Sequence, residues 1–243
     1  MKSAGDSPFP ADRHLFFAFS TFTGGRADFE AWYDEEHIPQ VLGAPGMHGA
    51  QRFEIAKTKP LPGSVPVDLG HLALYELDGD AGAFRSEVKR LLMSGDMPLP
   101  GFLVQPFKAL FLRPVSEPFQ TAALGSPSDL DDRHLFFAFS RHTGDDETFE
   151  QWYDEVHIAQ IMSAPGMLRA QRFETADTKP LPGVATVDEG HLALYEVAGD
   201  PQPFREEVKG LLMSGEMEIP DFMVQPFTTM FMRPLSPFVA AQG

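Results

Sequence analysis

The chain of 243 residues carries 35 acidic against 19 basic side chains, a formal charge of −16, so it repels phosphate backbones and no nucleic-acid partner is expected. It has no cysteine, which removes disulfides, thiolate nucleophiles and cysteine-bound metals. No stretch approaches the roughly 20 apolar residues of a membrane span, and the N-terminal residues lack the apolar core of a secretion signal, so a cytoplasmic protein with no membrane contact is expected.

The first element, His14–Ser20, is a short aromatic and apolar run that reads as a buried strand. Thr23-Gly24-Gly25 breaks it, and residues 27–42 follow as a helix with Asp28 and Glu30 near its positive end. Pro39 is expected to end or bend that helix. Residues 47–56 read as a second strand and residues 57–70 as a Pro-rich loop, a lid or a clasp between halves. Residues 71–77 form a third strand, 81–94 a second helix and 102–113 a fourth strand. The whole of 13–115 then returns at 133–235 with a constant offset of 120, as in RHLFFAFS (13–20 and 133–140) and GHLALYE (70–76 and 190–196).

Two domains, 13–115 and 133–235, are therefore expected, joined by a Pro/Ser/Gly/Asp-rich linker over 116–132, with loosely held tails. Each copy reads βαββαβ, a ferredoxin-like α+β plan with an antiparallel sheet ordered 4-1-3-2 and both helices on one face. The other sheet face is apolar too, in Leu15, Phe17 and Phe19. The two sheets are expected to pack face to face as a barrel closed within one chain.

FEAWYDEEHIPQVLGAPGMHGAQRFE (29–54) and FEQWYDEVHIAQIMSAPGMLRAQRFE (149–174) resemble the helix-1 to strand-2 signature of the dimeric α+β barrel superfamily. They most resemble its EthD-like branch, where a Trp/Tyr-Tyr-x-x-x-His-x-Pro helix precedes a Pro-Gly turn and an Arg-aromatic strand. Ala159 replaces the motif's proline in the second copy. The resemblance implies an intramolecular pseudo-dimer, possible pairing with a second chain, and an enzyme. Reactions in the superfamily run from isomerisation, cyclisation and decarboxylation to monooxygenation and haem chemistry.

Six histidines form matched pairs, His14/His134, His37/His157 and His71/His191, and imidazole suits proton transfer near neutral pH. A polyketide-cyclising branch of the superfamily has histidines near the start of strand 1 and in strand 3. That resemblance makes His14, His71 and their counterparts candidate pocket residues, with Tyr75/Tyr195 on the same face as His71/His191. His37 lies one helical turn after Tyr33 and is a further catalytic candidate with His157. Glu36 falls on the inward side of an α-helical wheel where the other copy has Val156, so Glu36 and Pro39 mark where the halves are expected to have parted. Trp32, Tyr33, Trp152 and Tyr153 are either core or substrate wall. Arg52, Arg113, Arg172 and Arg233 either hold a substrate carboxylate or pair with acids such as Asp34 and Glu54.

No metal-ligand spacing, glycine-rich phosphate loop or nicotinamide fingerprint is present, so neither metal nor cofactor is expected. The leading expectation is a cofactor-independent lyase, decarboxylase, cyclase or isomerase of a small aromatic or hydrophobic substrate, using histidine acid/base catalysis. The alternatives are a cofactor-free monooxygenase of a phenol or quinol, a haem protein, and a non-catalytic binding protein.

Overall fold

The computed structural model describes residues 12–67, 69–78, 81–176, 181, 184–186 and 190–242. In β1 (Arg13–Ser20) alternate residues point to opposite faces, sending Leu15, Phe17 and Phe19 one way and Phe16 and Ala18 the other. It pairs antiparallel with β4 (His71–Asp78) and β5 (Phe107–Pro114), and β4 pairs with β2 (Met47–Ile55), giving β5-β1-β4-β2. The second half repeats this with β7 (Arg133–Ser140), β8 (Met167–Thr175), β10 (His191–Ala198) and β11 (Phe227–Pro234). Pairing of β5 with β8 and of β11 with β2 closes eight antiparallel strands into a barrel. This is the α+β barrel that the 4-1-3-2 pattern and the apolar second face imply.

Leucine and phenylalanine from both halves fill the barrel, among them Phe17, Leu74, Phe137 and Leu194. One end is ionic: Glu76 and Glu196, fully buried, face Arg13, Arg133 and Arg169. Arg13 reaches Glu196 at 2.8 Å, Arg133 reaches Glu76 at 2.9 Å, and Arg169 reaches Glu76 at 2.8 Å and Glu196 at 2.7 Å. Burial opposes ionisation of Glu76, yet Arg169, Arg13 and Arg133 together hold it down to about 2. The cluster is not symmetric, because Arg169 stands where the first half has Gly49. A side chain there would run into the Phe238 ring, 2.2 Å from the position of a Cβ.

The helices lie outside the barrel. In the first half α1 (Arg26–Ala31), a π-helical turn (Trp32–His37) and α2 (Ile38–Leu42) run on as one rod, and α3 (Ala81–Ser94) packs beside it. The second half has α4 (Asp146–Trp152), a π-helical turn (Tyr153–His157), α5 (Ile158–Ile161) and α6 (Gln202–Ser214). Pro39 sits inside α2 and does not end the rod. The same turn forms with Ala159 in place, so this difference does not separate the halves. Among the described residues no helix is long and apolar enough to cross a membrane.

Each half also reaches onto the other. The 57–70 loop forms β3 (Ser64–Pro66), which pairs parallel with β11, and β9 (Val184–Thr186) pairs with β5, so the clasp reading holds where the loops are described. Asp68 and the stretches 177–180, 182–183 and 187–189 lie outside the described residues. Beyond the two copies, β6 (Phe119–Gln120) adds to β8 and β12 (Val239–Ala240) to β2. The expectation of a loose C-terminal tail is thus corrected: Ser236 also accepts from the Arg52 amide and Gln51.

Candidate functional site

In the π-helical turn the amide of Ile38 reaches the carbonyl of Tyr33, five residues back, so each residue advances less around the axis than in an α-helix. This phase change stacks His37 on Trp32 (4.5 Å, 20°) and sets it edge-on to Tyr33 at 5.3 Å. His157 stacks on Trp152 in the same way (4.7 Å, 25°). It also turns Glu36 out to solvent, and Val156 in the other copy is 45% exposed. The inward Glu36 is therefore corrected: an α-helical wheel loses phase across a π-turn.

Between each sheet and its helices lies a cavity. The first, about 70 Å³, is walled by Phe16, Trp32, Tyr33, His37 and Tyr75, with Leu181 and Val184 arriving from the second half. The second, about 280 Å³, is walled by Phe136, Trp152, Tyr153, His157 and Tyr195, with Leu61 and Ser64 arriving from the first half. Tyr33 donates to Ser20 Oγ at 3.2 Å, and burial raises its pKa above the usual phenol value. Burial pushes Tyr153 up to about 12, tempered by the Ser140 and Tyr195 hydroxyls, and holds Tyr75 and Tyr195 well above the ordinary range. Burial acts the opposite way on His37 and His157, pushing both down to about 4. Each cavity thus offers a neutral imidazole beside protonated phenols, inside an aromatic wall. The Nδ1 atoms of both imidazoles, the Tyr75 and Tyr195 hydroxyls and Ser140 Oγ make no hydrogen bond among the described residues.

The other candidates do not converge on these cavities. His14 pairs with Leu77, six residues along β1 from Ser20, and its Nδ1 lies 3.5 Å from the Asp12 carboxylate. His134 holds the same place, opposite Val197 on β10. His71 packs on Phe22 and Phe29 (5.4 and 5.2 Å) and lines a separate shallow depression with Glu54. His191 packs in the same way against Phe149 and His142 (4.8 and 5.3 Å). A strand carries residues six apart to opposite ends, about 20 Å away, so sharing a face did not make these histidines neighbours.

The arginines are engaged elsewhere. Arg52 forks onto Asp34 with both contacts at 2.7 Å, and Arg172 onto Asp154 at 2.7 and 2.8 Å. Arg113 and Arg233 pair across the barrel seams with Glu174 and Glu54, on strands of the other half. Of the two roles open to these four, substrate-carboxylate anchor or partner of an acid, the structure places all four in acid pairs and none against either cavity.

Three wall features escaped the sequence reading. Phe16/Phe136 and Ser20/Ser140 follow from period-two alternation within RHLFFAFS, a signal that was available. Ser64 and Thr229, whose hydroxyls lie 2.9 Å apart, come from opposite halves, and no local pattern links them. Among the described residues no cluster of three or more histidine, aspartate and glutamate side chains could hold a metal ion.

No protein-family profile and no curated relative matches the chain. Solved structures match along nearly its whole length at low identity. An anthrone oxidase-like protein is 12% identical over 98% of this chain and 96% of its own, with a TM-score of 0.56. A protein from Fusobacterium nucleatum described as a monooxygenase is 12% identical over 97% of both chains (0.55). Another, from Lactobacillus acidophilus, is 13% identical over 95% of this chain and 100% of its own (0.53). These likenesses establish the dimeric α+β barrel fold.

Proposed function

We propose that the chain is an enzyme of the EthD-like branch of this fold that oxygenates an electron-rich phenol or quinol with molecular oxygen and no cofactor. The observation that carries this reading is the second cavity. It is an aromatic chamber of about 280 Å³ holding a neutral His157 beside the Tyr153, Tyr195 and Ser140 hydroxyls. The volume suits one or two fused rings, at the lower edge of the roughly 300–1,000 Å³ of ordinary ligand pockets. The description of fold neighbours as anthrone oxidase-like and as monooxygenases supports the same chemistry.

In the reaction the C–H opposite a phenolic hydroxyl becomes C=O. One atom of O₂ enters the ring, the other leaves as water with the two hydrogens, and the substrate supplies all the electrons. Ground-state phenol is too weak an acid for an imidazole held near 4. A phenol that has passed an electron to O₂ is a strong acid, so the proton can leave with the electron and His157 receives it. Tyr153, kept protonated by burial, donates to the substrate oxygen, and the apolar walls exclude water from the radical pair.

The expectation of a lyase, decarboxylase, cyclase or isomerase is overturned by the oxidase-like and monooxygenase neighbours. A base held near 4 is also poorly matched to carbon–proton abstraction at neutral pH, where the best catalytic pKa lies close to the operating pH. Haem, used in other branches of the superfamily, does not fit beside His37 or His157: cavities of about 70 and 280 Å³ are too small for the macrocycle.

The test is oxygen uptake with anthrone, whose enol form is a phenol, and with 1-naphthol. One O₂ consumed per quinone formed, without hydrogen peroxide, is expected, and His157→Gln should lower the rate about 100-fold or more. Equal turnover under strict anaerobiosis, or no oxygen consumption with either probe, would refute the reading.

A further inference from the structure

The two cavities differ chemically at one corner. In the second, β3 of the first half sets Ser64 against β11, and Thr229 Oγ1 lies 2.9 Å from Ser64 Oγ. Ser64 Oγ in turn lies 2.8 Å from the Leu61 carbonyl oxygen. A carbonyl oxygen only accepts, so the single Ser64 proton is committed to it, and the Thr229 proton is then committed to Ser64. The chain of hydroxyls has a direction. Its open end, the Thr229 oxygen, has lone pairs and no proton to give, and Thr229 is only 5% exposed on the cavity wall. In the first cavity the same two positions are Val184 and Ala109, which offer no side-chain polar atom.

The spacing is set by the sheet. Thr229 is the backbone partner of Ala138 on β7, and Ser140, which lines the same cavity as Tyr153, is two residues further along the same face. Such diagonal neighbours lie about 7–8 Å apart, the width of one or two fused rings. One end of a ring system would meet the Tyr153 and Ser140 hydroxyls, and the other an acceptor.

We propose that the second cavity alone is the substrate site, and that the Ser64–Thr229 hydroxyl chain selects fused-ring substrates bearing a second hydrogen-bond donor, a hydroxyl or N–H, on the ring far from the one that is oxygenated. This rests on reading that cavity as the substrate pocket, and it names the substrate class as a fused-ring diol or aminophenol whose second donor lies on the other ring and leaves the C–H opposite the first hydroxyl free. A carboxylate or ether at that end meets lone pairs with lone pairs and is rejected.

Calorimetric titration with 2,6-dihydroxynaphthalene and 6-methoxy-2-naphthol tests it without turnover. The expected result is one diol per chain, bound roughly three- to tenfold tighter than the ether, the range of one neutral hydrogen bond. Thr229→Val should erase that preference and Thr229→Ser should keep it. Ser64→Ala frees the Thr229 proton to donate, so it should narrow the preference by improving ether binding. Two equivalent sites per chain, or a preference that survives Thr229→Val in a folded variant, would overturn the proposal. If the preference responds as expected while no probe consumes oxygen, the oxygenase reading fails and the selectivity stands. Oxygen consumption with an unaltered preference gives the converse.

Discussion

Replacing Glu196 by Gln removes one of two carboxylates that hold three guanidinium groups inside the barrel. Glu196 accepts from Arg13 at 2.8 Å, from Arg169 at 2.7 Å and from Arg133, and its side chain has no solvent exposure. The variant leaves three guanidinium groups and one carboxylate, Glu76, in the cluster. Losing one partner of a buried pair costs about 3–5 kcal/mol, because the remaining charge is neither solvated nor matched. For a chain of this size each kcal/mol moves the melting temperature by about 2–4 °C, so Glu196→Gln should melt roughly 6–20 °C lower at pH 7. Adding Arg169→Met restores the original excess of one cation and should recover at least about 1 kcal/mol relative to the sum of the two single changes. Circular dichroism melts and urea midpoints of the three variants measure both quantities. A Glu196→Gln shift under 3 °C, or strict additivity in the double variant, would show that the cluster is not one coupled unit.

Three further outcomes follow from the same geometry. Folded His37 and His157 stay neutral down to about pH 4, while unfolded imidazole takes a proton near 6.5. The unfolded chain therefore binds more protons in that window, and stability should fall as pH drops from about 6.5 to about 4, by up to about 3 kcal/mol per histidine. Urea midpoints of a His37→Gln/His157→Gln variant should lose most of that slope, and an unchanged slope would count against buried neutral imidazoles. Glu76 runs at lower pH, since its folded pKa of about 2 makes its contribution complete above the ordinary 4.5 and lost as pH falls from there toward 2. Acid titration of Glu76→Gln should show that loss reduced, and an unaltered acid limb would speak against the pairing. Gly70 holds a φ of 85° with the Ser20 carbonyl oxygen 2.5 Å from where a Cβ would sit, so Gly70→Ala should destabilise by about 2 kcal/mol or more, and a neutral melt would refute the close approach.

The barrel was legible in the sequence because both of its determinants are periodic. The repeat offset delivers two equal halves, and the alternation of Leu15, Phe17 and Phe19 with Phe16 and Ala18 makes each sheet two-faced. His37 and its aromatic neighbours were legible as a local stripe, although for the wrong geometric reason: the partner it stacks on is Trp32, five residues back, through a turn that propensity does not reveal. Glu36 failed for the same cause. His14 and His71 failed because face tells nothing of distance along a strand. Arg52 was ambiguous until Asp34, 18 residues earlier, was seen in a fork with it. Ser64 and Thr229, 165 residues apart, meet only once the halves clasp.

That clasp has a genetic meaning. The second cavity takes His157, Tyr153 and Thr229 from one repeat and Ser64, which fixes the direction of the Thr229 proton, from the other, so its selectivity is written across both halves of one reading frame. In a dimer of identical chains any serine placed at position 64 would appear in both pockets. Fusion removes that constraint, and Val184 can close one pocket while Ser64 equips the other. Recombination between related fused chains at the 116–132 junction would therefore transplant the reacting residues with Thr229 and leave behind the Ser64 that orients it.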